Sequence, residues 1–365
     1  MHPSPRLPAS KGQAVECTEP AGVPPLIDVS ARRLQDPVAR RELGDRLGNA
    51  ARTSGFFRIK GHGIALQTIE AAYGAARRFF ARPDAEKRRW YIGHSPNHRG
   101  YVPFTEKGDY PDEVHRSYEA FDLGHDGSRN DPGYVPGRLL CGPNVWPDDA
   151  EFRKAVSAYH DQVAALGQDL CQLLELHLRV PAGAITSRMR NPMSQLRLLH
   201  YVRAAGTRDA KSVNMGAHTD YECLTLLHTR NEGLQVLTES GAWIDVPVDP
   251  RVLVVNIGDM LEAWTNGLFR STPHRVLNLR PERFSMPYFV SADYDTEIAP
   301  LPGLVDAGCA SRYPPFRAGD HLERMLRRDF PYLRAQARSG VNEGPVTNPF
   351  EDRIRAAAAA EARPD

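Results

Sequence analysis

The chain has 365 residues, with 46 basic and 45 acidic side chains and a formal net charge of +1. This balance gives no electrostatic reason to expect nucleic acid or an anionic membrane surface as a partner. No segment approaches the roughly 18 consecutive apolar residues that a membrane-spanning helix needs. Hydrophobic residues make up 41% of the chain, so a sizeable core can form.

The cysteines and the N-terminus bear on the compartment in which the protein works. The five cysteines are odd in number and include no CxxC pair, which argues against a disulfide framework and for a reducing compartment. The first residues lack the apolar stretch of a secretory signal peptide. We therefore expect a cytoplasmic protein that acts on a small molecule.

The first part of the chain mixes helices with turn-rich segments. Residues 1–20 are rich in proline and weakly patterned, which is typical of a loose arm. Apolar spacing predicts helices over 37–53 and 66–81, and the apolar run 55–60 between them predicts a strand. Residues 84–145 carry many aromatic and turn-forming residues but little periodicity, and such loops often cover a site.

Residues 149–179 show the clearest helical pattern, with apolar residues at three- and four-residue spacing. At 1.5 Å per residue this helix is about 45 Å long, so we expect it to brace the domain. Residues 319–338 are predicted to be helical again, and the alanine-rich segment 341–365 is predicted to be a low-complexity tail. Between these helices, turn signals separate short β-type runs at 195–202, 222–229, 233–238, 242–248, 251–258, 269–272, 274–279 and 283–290.

Eight short strands that follow helices predict an α+β protein that is mainly β. The expected core is a double-sheet jelly roll (a double-stranded β-helix) with a helical N-terminal portion and a C-terminal helix. We divide the chain into an arm (1–20), an N-terminal helical region (21–145), a jelly-roll core with its bracing helix (146–340) and a tail (341–365).

The stretch 215–221 contains a histidine and an aspartate two residues apart, followed by strand-forming residues. Because residues i and i+2 of a strand point to the same face, His218 and Asp220 are expected to lie side by side. His274, at the entrance of a later strand, can supply a second imidazole. Two histidines and one carboxylate form the ligand set of non-haem Fe(II) sites with open positions. A lone histidine is more often a core or surface residue, so the prediction depends on all three residues together.

Arg283 and Ser285 follow His274 and share one face of a predicted strand. A guanidinium fork beside a hydroxyl is a suitable pair for a carboxylate. The alternative is that Arg283 forms an ordinary surface ion pair.

With these residues the chain resembles the Fe(II)/2-oxoglutarate-dependent dioxygenase superfamily, and the isopenicillin N synthase-like branch fits best. The resemblance rests on His218-Thr-Asp220, His274 and Arg283-Phe-Ser285, in that order. It implies a jelly roll in which His218, Asp220 and His274 bind Fe(II). It also implies that Arg283 and Ser285, assisted by Tyr201, hold the distal carboxylate of 2-oxoglutarate. Further matching segments are 24–28, 55–57, 62–64, 196–201, 256–259 and 264–267.

The segment Leu199-His-Tyr-Val202 departs from the Asn-Tyr-Tyr-Pro that plant enzymes of this branch usually carry. It resembles microbial small-molecule hydroxylases, including thymine hydroxylase-like proteins. The presence of Asp220 distinguishes the chain from the related halogenases, in which that position is vacated for chloride. For the substrate pocket we predict aromatic wall residues, namely Tyr101, Phe104, Tyr118, Tyr221 and Phe289.

The resemblance implies an enzyme that uses Fe(II), 2-oxoglutarate and O2 to hydroxylate, desaturate or cyclise a small molecule, with release of succinate and CO2. The near-neutral charge and single domain favour a small free metabolite over a polymer, and we expect a role in secondary metabolism. A second hypothesis is an Fe(II) oxidase or cyclase that needs no 2-oxoglutarate, as in isopenicillin N synthase, with Arg283 holding a substrate carboxylate. A third is a jelly-roll binding module without catalysis. We expect a monomer or homodimer with no nucleic-acid or membrane partner.

Overall fold

The computed structural model describes residues 22–30, 36–106, 118–131, 134–203, 213–305 and 311–337. The expected arm 1–20 and tail 341–365 lie outside these ranges, so both stay predictions. None of the helices in the described ranges has both the length and the apolar composition that crossing a bilayer requires.

The helices begin and end close to where the apolar spacing places them. The predictions for 37–53, 66–81 and 149–179 agree with the structure to within one residue at each end. The described residues contain α1 (Pro37–Thr53), α2 (Leu66–Phe80), α3 (Asp84–Lys87), α4 (Ala150–Leu178), α5 (Asp259–Trp264), α6 (Ala318–Asp329) and α7 (Pro331–Ala337).

Local chemistry sets several of these ends. Asp36 caps α1 by accepting a hydrogen bond from the N–H of Val38 at 2.9 Å, and Asp149 caps α4 by accepting one from Phe152 at 2.9 Å. Such caps satisfy N–H groups that have no partner inside the helix. The predicted helix 319–338 is divided into α6 and α7, because Pro331 has no N–H with which to continue α6.

Two large sheets are built from strands that are mostly short. The strands are β1 (Leu26–Asp28), β2 (Phe56–Lys60), β3 (Gly100–Val102), β4 (Tyr118–Gly124), β5 (Gln195–Val202), β6 (Val213–His218), β7 (Leu224–Thr229), β8 (Leu234–Leu237), β9 (Trp243–Asp245), β10 (Leu253–Ile257), β11 (His274–Leu277), β12 (Glu282–Val290), β13 (Glu297–Ile298) and β14 (Phe316–Arg317). The major sheet has the order β1-β2-β10-β7-β12-β5-β4-β3, and the minor sheet has the order β6-β11-β8-β9. This double-sheet arrangement is the predicted jelly roll.

The structure differs from the strand predictions in two segments. Residues 269–272 are not a strand, because Ser271 N–H bonds to Glu262 and the Thr272 hydroxyl bonds to the carbonyl of Ser54. Strand β4 lies in the segment predicted to be loops. All seven of its residues are buried, so it lacks the apolar–polar alternation of a half-exposed strand.

Helix α4 packs against β12 and β7, and α1 and α2 pack against α4. The major sheet takes β1 to β4 from the expected N-terminal region and β5, β7, β10 and β12 from the expected core. The boundary near residue 145 therefore stays a prediction, since a single sheet includes strands from both sides of it.

Candidate active site

The two candidate ligand histidines lie opposite each other on neighbouring strands of the minor sheet. His218 ends β6 and His274 begins β11, and the antiparallel register pairs the two residues directly. Asp220 lies beyond the end of β6, so the prediction that it shares a strand face with His218 is wrong. The chain leaves the strand after His218, and the following turn brings the carboxylate toward both imidazoles.

Hydrogen bonds orient both histidines. His218 Nδ1 lies 2.8 Å from the carbonyl oxygen of Gly216, and His274 Nδ1 lies 3.2 Å from that of Thr272. The Nε2 atoms lie 3.8 Å and 3.6 Å from Asp220 Oδ1, respectively. The three ligand atoms lie within 4.8 Å of one another. With the proton held at Nδ1, each Nε2 keeps the free lone pair that binds a metal.

The second oxygen of Asp220 is held by the protein. Oδ2 accepts a hydrogen bond from the Asn256 amide at 2.7 Å and another from the Thr225 hydroxyl. Burial opposes ionisation of Asp220, but His274, His218 and these two donors hold its pKa below the ordinary value. Burial and the neighbouring His274 lower the pKa of His218 to about 4. One carboxylate and neutral nitrogen donors fit Fe(II).

A buried guanidinium lies along the major sheet. The register places Tyr201 beside Arg283, and Thr229 beside Ser285. Arg283 donates to the Thr229 hydroxyl at 3.0 Å and to the Ser285 hydroxyl at 3.2 Å, and it lies 4.8 Å from the centre of the Tyr201 ring. Among the described residues, Arg283 forms no ion pair and its Nε has no hydrogen-bond partner. A buried cation without an anion is costly, so this group fits the carboxylate of a bound molecule.

Both groups line one cavity that is open to solvent. Arg283 lines the cavity from the major sheet, and His218 and His274 line it from the minor sheet. Three of the five predicted wall residues line this cavity, namely Tyr118, Tyr221 and Phe289.

Tyr101 and Phe104 lie outside the cavity lining, which corrects the prediction for these two residues. Tyr101 pairs with Phe121 across β3 and β4 and packs against Phe79. Its hydroxyl donates to Glu119 at 2.5 Å. Neighbouring residues of a strand point to opposite faces, so Tyr101 and Phe121 face away from the cavity that Tyr118 lines.

The cavity also has lining residues that the sequence interpretation missed. On β5, Gln195 and Arg197 line it together with Tyr201, at alternate positions of the strand. Arg197 pairs with Asp122 through two contacts of 2.7 Å. Period-two spacing from Tyr201 is the signal that identifies these β5 residues. No sequence signal places the end of α6 at the cavity. Leu326 and Asp329 of this helix line the cavity, together with Phe330, which directly follows the helix.

Glu222 is another missed lining residue and lies two positions after Asp220. Its side chain is buried, and burial together with the charge of Asp220 raises the pKa of Glu222 to about 8. The N–H groups of Tyr221 and of Glu222 itself face the carboxylate. The described residues give it no ion pair and no side-chain hydrogen bond.

The remaining polar residues near the motifs have structural roles. His200 stacks on Phe284 and bonds to Glu119 at 2.8 Å, on the face of β5 opposite the cavity. His228 lies 2.9 Å from the Tyr73 hydroxyl. These contacts give His200 and His228 roles in packing and hydrogen bonding, and neither histidine is part of the proposed metal site.

Two family models match the chain. Residues 24–149 match the model described as "non-haem dioxygenase in morphine synthesis N-terminal". Residues 193–292, which contain all three candidate metal ligands, match the model of the 2OG-Fe(II) oxygenase superfamily.

Similar proteins agree with these matches. The 2-oxoglutarate-Fe(II) type oxidoreductase hxnY of Emericella nidulans is 33% identical over 326 residues, which cover 86% of this chain and 92% of that protein. The crystal structure of a full-length Neurospora crassa protein in complex with alpha-KG (2-oxoglutarate) matches with a TM-score of 0.72 and 26% identity, covering 85% of this chain and 98% of that chain. A 2OG-Fe(II) oxygenase family protein from Caulobacter crescentus matches with a TM-score of 0.73 and 29% identity, covering 84% and 99%. The chain therefore belongs to the 2OG-Fe(II) oxygenase superfamily and is an oxidoreductase that uses Fe(II) and 2-oxoglutarate.

Proposed function

We propose that this protein uses Fe(II), 2-oxoglutarate and O2 to oxidise a small metabolite at an unactivated C–H bond, releasing succinate and CO2. The observation that carries the proposal is the joint presence, in one cavity, of a His-Asp-His group and a buried guanidinium that the described part of the chain leaves without an anion. The product is an alcohol, or a desaturated or cyclised compound after removal of a second hydrogen.

The geometry of the cavity supports the following residue assignments. His218, Asp220 and His274 would hold the iron, which when bound couples the decarboxylation of 2-oxoglutarate by O2 to C–H cleavage. Arg283 and Ser285 would hold the distal carboxylate of 2-oxoglutarate. Tyr201 packs against the guanidinium and would keep the fork in place. The substrate would contact the three aromatic residues that line the cavity, namely Tyr118, Tyr221 and Phe289.

The two other hypotheses receive less support. The relatives named above include a 2-oxoglutarate-Fe(II) type oxidoreductase and a protein in complex with 2-oxoglutarate, which favours 2-oxoglutarate rather than a substrate carboxylate as the partner of Arg283. The intact ligand group gives no reason to prefer a binding module without catalysis. We further propose that the protein works in the cytoplasm as a monomer or homodimer, without nucleic-acid or membrane partners and in secondary metabolism.

Removal of a proposed metal ligand tests the site. We expect His218→Ala and Asp220→Ala to lose Fe(II) binding, because each removes one of only three protein donors. Metal binding is measured by anaerobic titration, and succinate release is measured in parallel. His125→Ala, at an exposed histidine outside this cavity, is the control. Unchanged Fe(II) affinity and turnover in both ligand variants would show that the assignment is wrong.

A further inference from the structure

Alternate residues of the paired strands β12 and β5 line the cavity, and we call this strand pair its floor. The floor has two ends. Arg283 pairs with Tyr201 at one end of the β12–β5 ladder, and Phe289 pairs with Gln195 at the other end. The two rungs are six residues apart, which is about 20 Å along a strand. A 2-oxoglutarate molecule held by Arg283 would therefore leave the Gln195 end of the floor for the substrate.

Two buried polar side chains line the cavity at this far end. Gln195 pairs with Phe289 across the ladder, and Cys223, next to Glu222, donates its N–H to the carbonyl of Val290 at 2.8 Å. Both Gln195 and Glu222 therefore lie beside the last residues of β12. Gln195 is 4% exposed and Glu222 is 7% exposed.

Each side chain has binding capacity that the described residues leave unused. The Gln195 Nε2 atom has no hydrogen-bond partner. The buried Glu222 carboxyl lines the cavity and forms no ion pair with the described residues, although backbone N–H groups face it. A buried polar group without a partner is costly, so native structures retain such groups rarely and usually for a reason.

The neighbouring charges of the cavity are already matched. Arg197 pairs with Asp122 at 2.7 Å, and Asp329 pairs with Arg328 at 3.2 Å. In the loaded enzyme, the negative charges of the 2-oxoglutarate dianion and of Asp220 would balance the positive charges of Fe(II) and Arg283. Among the described residues that line the cavity, Glu222 is then an acid without a positive partner.

We propose that Glu222 and Gln195 form the substrate-recognition face and that the substrate carries a protonated nitrogen. The nitrogen, as an ammonium, amidinium or guanidinium group, pairs with Glu222. A nearby oxygen of the same substrate accepts a hydrogen bond from the Gln195 amide. The inference rests on the proposed function and assigns the substrate class to that site.

The test compares a cation with its neutral analogue in the loaded enzyme. Wild-type protein is given Fe(II) and 2-oxoglutarate without oxygen, and the absorption band of the iron–2-oxoglutarate complex is followed. The protein is then titrated with n-butylammonium or with n-butanol, which has similar size and no charge. We expect the cation to perturb the band at a concentration roughly 10- to 100-fold lower, as a buried charge-assisted contact allows.

Variants identify the residues responsible. Glu222→Gln keeps the size of the side chain and is expected to abolish the preference for the cation. Gln195→Glu adds a second carboxylate to the same face and is expected to increase it. Glu239→Gln, at an exposed acid outside the cavity, should keep the wild-type preference. The Gln195→Glu arm still tests the inference if Glu222→Gln does not fold.

The outcomes separate this inference from the proposed function. If the band forms in wild-type protein but both probes act equally, or neither acts, the inference is overturned while the proposed function stands. A preference that survives in Glu222→Gln overturns it as well. If no band forms with Fe(II) and 2-oxoglutarate, the proposed function fails, and the inference fails with it.

Discussion

The two carboxylate oxygens of Asp220 have different roles. Oδ2 is fixed by Asn256 and Thr225, so Oδ1 is the oxygen that faces the two histidines. A carboxylate that is hydrogen-bonded on one side cannot rotate freely, and the metal position is therefore defined before a metal arrives. The sequence motif names Asp220, but the two residues that orient it come from β10 and β7.

At the same scale, the planar fork of Arg283 is predicted to matter more than its charge. Arg283→Lys keeps a cation but loses the geometry that reaches Thr229 and Ser285 while binding a carboxylate. We expect the affinity for 2-oxoglutarate to fall roughly 10- to 100-fold, which corresponds to loss of a charge-assisted contact. Anaerobic titration of the iron–2-oxoglutarate band measures this affinity.

The control for this change is Arg280→Lys. Arg280 pairs with Glu232 at the surface, at 2.9 Å, and is not part of the cavity. It should leave 2-oxoglutarate binding unchanged. Equal affinities in Arg283→Lys and wild-type protein would contradict the role assigned to Arg283.

At the scale of elements, the close packing of helix α1 on helix α4 depends on a glycine. Gly44 of α1 lies against α4, and a Cβ atom added there would come within 2.6 Å of the carbonyl oxygen of Leu173. A backbone carbonyl inside a helix has little freedom to move away. The packing of α1 on α4 therefore requires a residue without a side chain at this position.

Gly44→Ala is accordingly expected to destabilise the protein by about 1–3 kcal/mol, the usual cost of overpacking. Gly74→Ala is the matched change in α2, where an added Cβ would meet only the end of the Arg78 side chain at 3.5 Å. That variant should be neutral or more stable by up to about 1 kcal/mol, because alanine favours helices. Urea unfolding measures both. A Gly44→Ala protein as stable as the wild type would show that the two helices can move apart.

At the scale of the whole molecule, a buried ionic group connects the N-terminal part of the chain to the jelly roll. Glu119 of β4 accepts from Lys87 and Tyr101, both at 2.5 Å, and bonds to His200 of β5 at 2.8 Å. Burial opposes ionisation of Glu119, but His200, Lys87 and Tyr101 outweigh it and hold the pKa of Glu119 below its ordinary 4.5. This network lies on the side of the major sheet away from the cavity.

The lowered pKa of Glu119 predicts loss of stability in acid. In the unfolded chain the carboxyl has its ordinary pKa, so its contribution is present above about 4.5 and is lost as the pH falls through the lower folded-state value. We expect the free energy of unfolding to decrease as the pH falls below about 5 and through the lower folded-state pKa, as measured by urea unfolding. Glu119→Gln should show a smaller decrease, although it loses about 3–5 kcal/mol at neutral pH by leaving Lys87 unpaired.

Glu151→Gln, at an exposed acid near the start of α4, is the control for this pH dependence. It should keep the wild-type acid response. If Glu119→Gln and the wild type lose stability in parallel as the pH falls, other carboxyl groups carry the acid sensitivity.

The sequence by itself determined the features that depend on local spacing. Helices α1, α2 and α4 follow from apolar periodicity, and strand β5 follows from its apolar run. The identities of His218, Asp220, His274, Arg283 and Ser285 follow from a motif whose residue types are dictated by metal and carboxylate chemistry. These signals lie within short segments, so they can be read without knowledge of the fold.

Only the tertiary structure decided which residues meet at the site. Thr229 meets Arg283, and the end of α6 reaches the cavity, through strand register and helix packing, which no local pattern specifies. The same register turned Tyr101 away from the cavity. Asp220 reached the histidines by a turn after β6, although the motif suggested a strand. The residue types of the proposed metal site are set by a motif, whereas long-range strand pairing and helix packing bring other residues to the cavity wall. The sequence therefore identified the chemistry, and the fold decided which further side chains surround it.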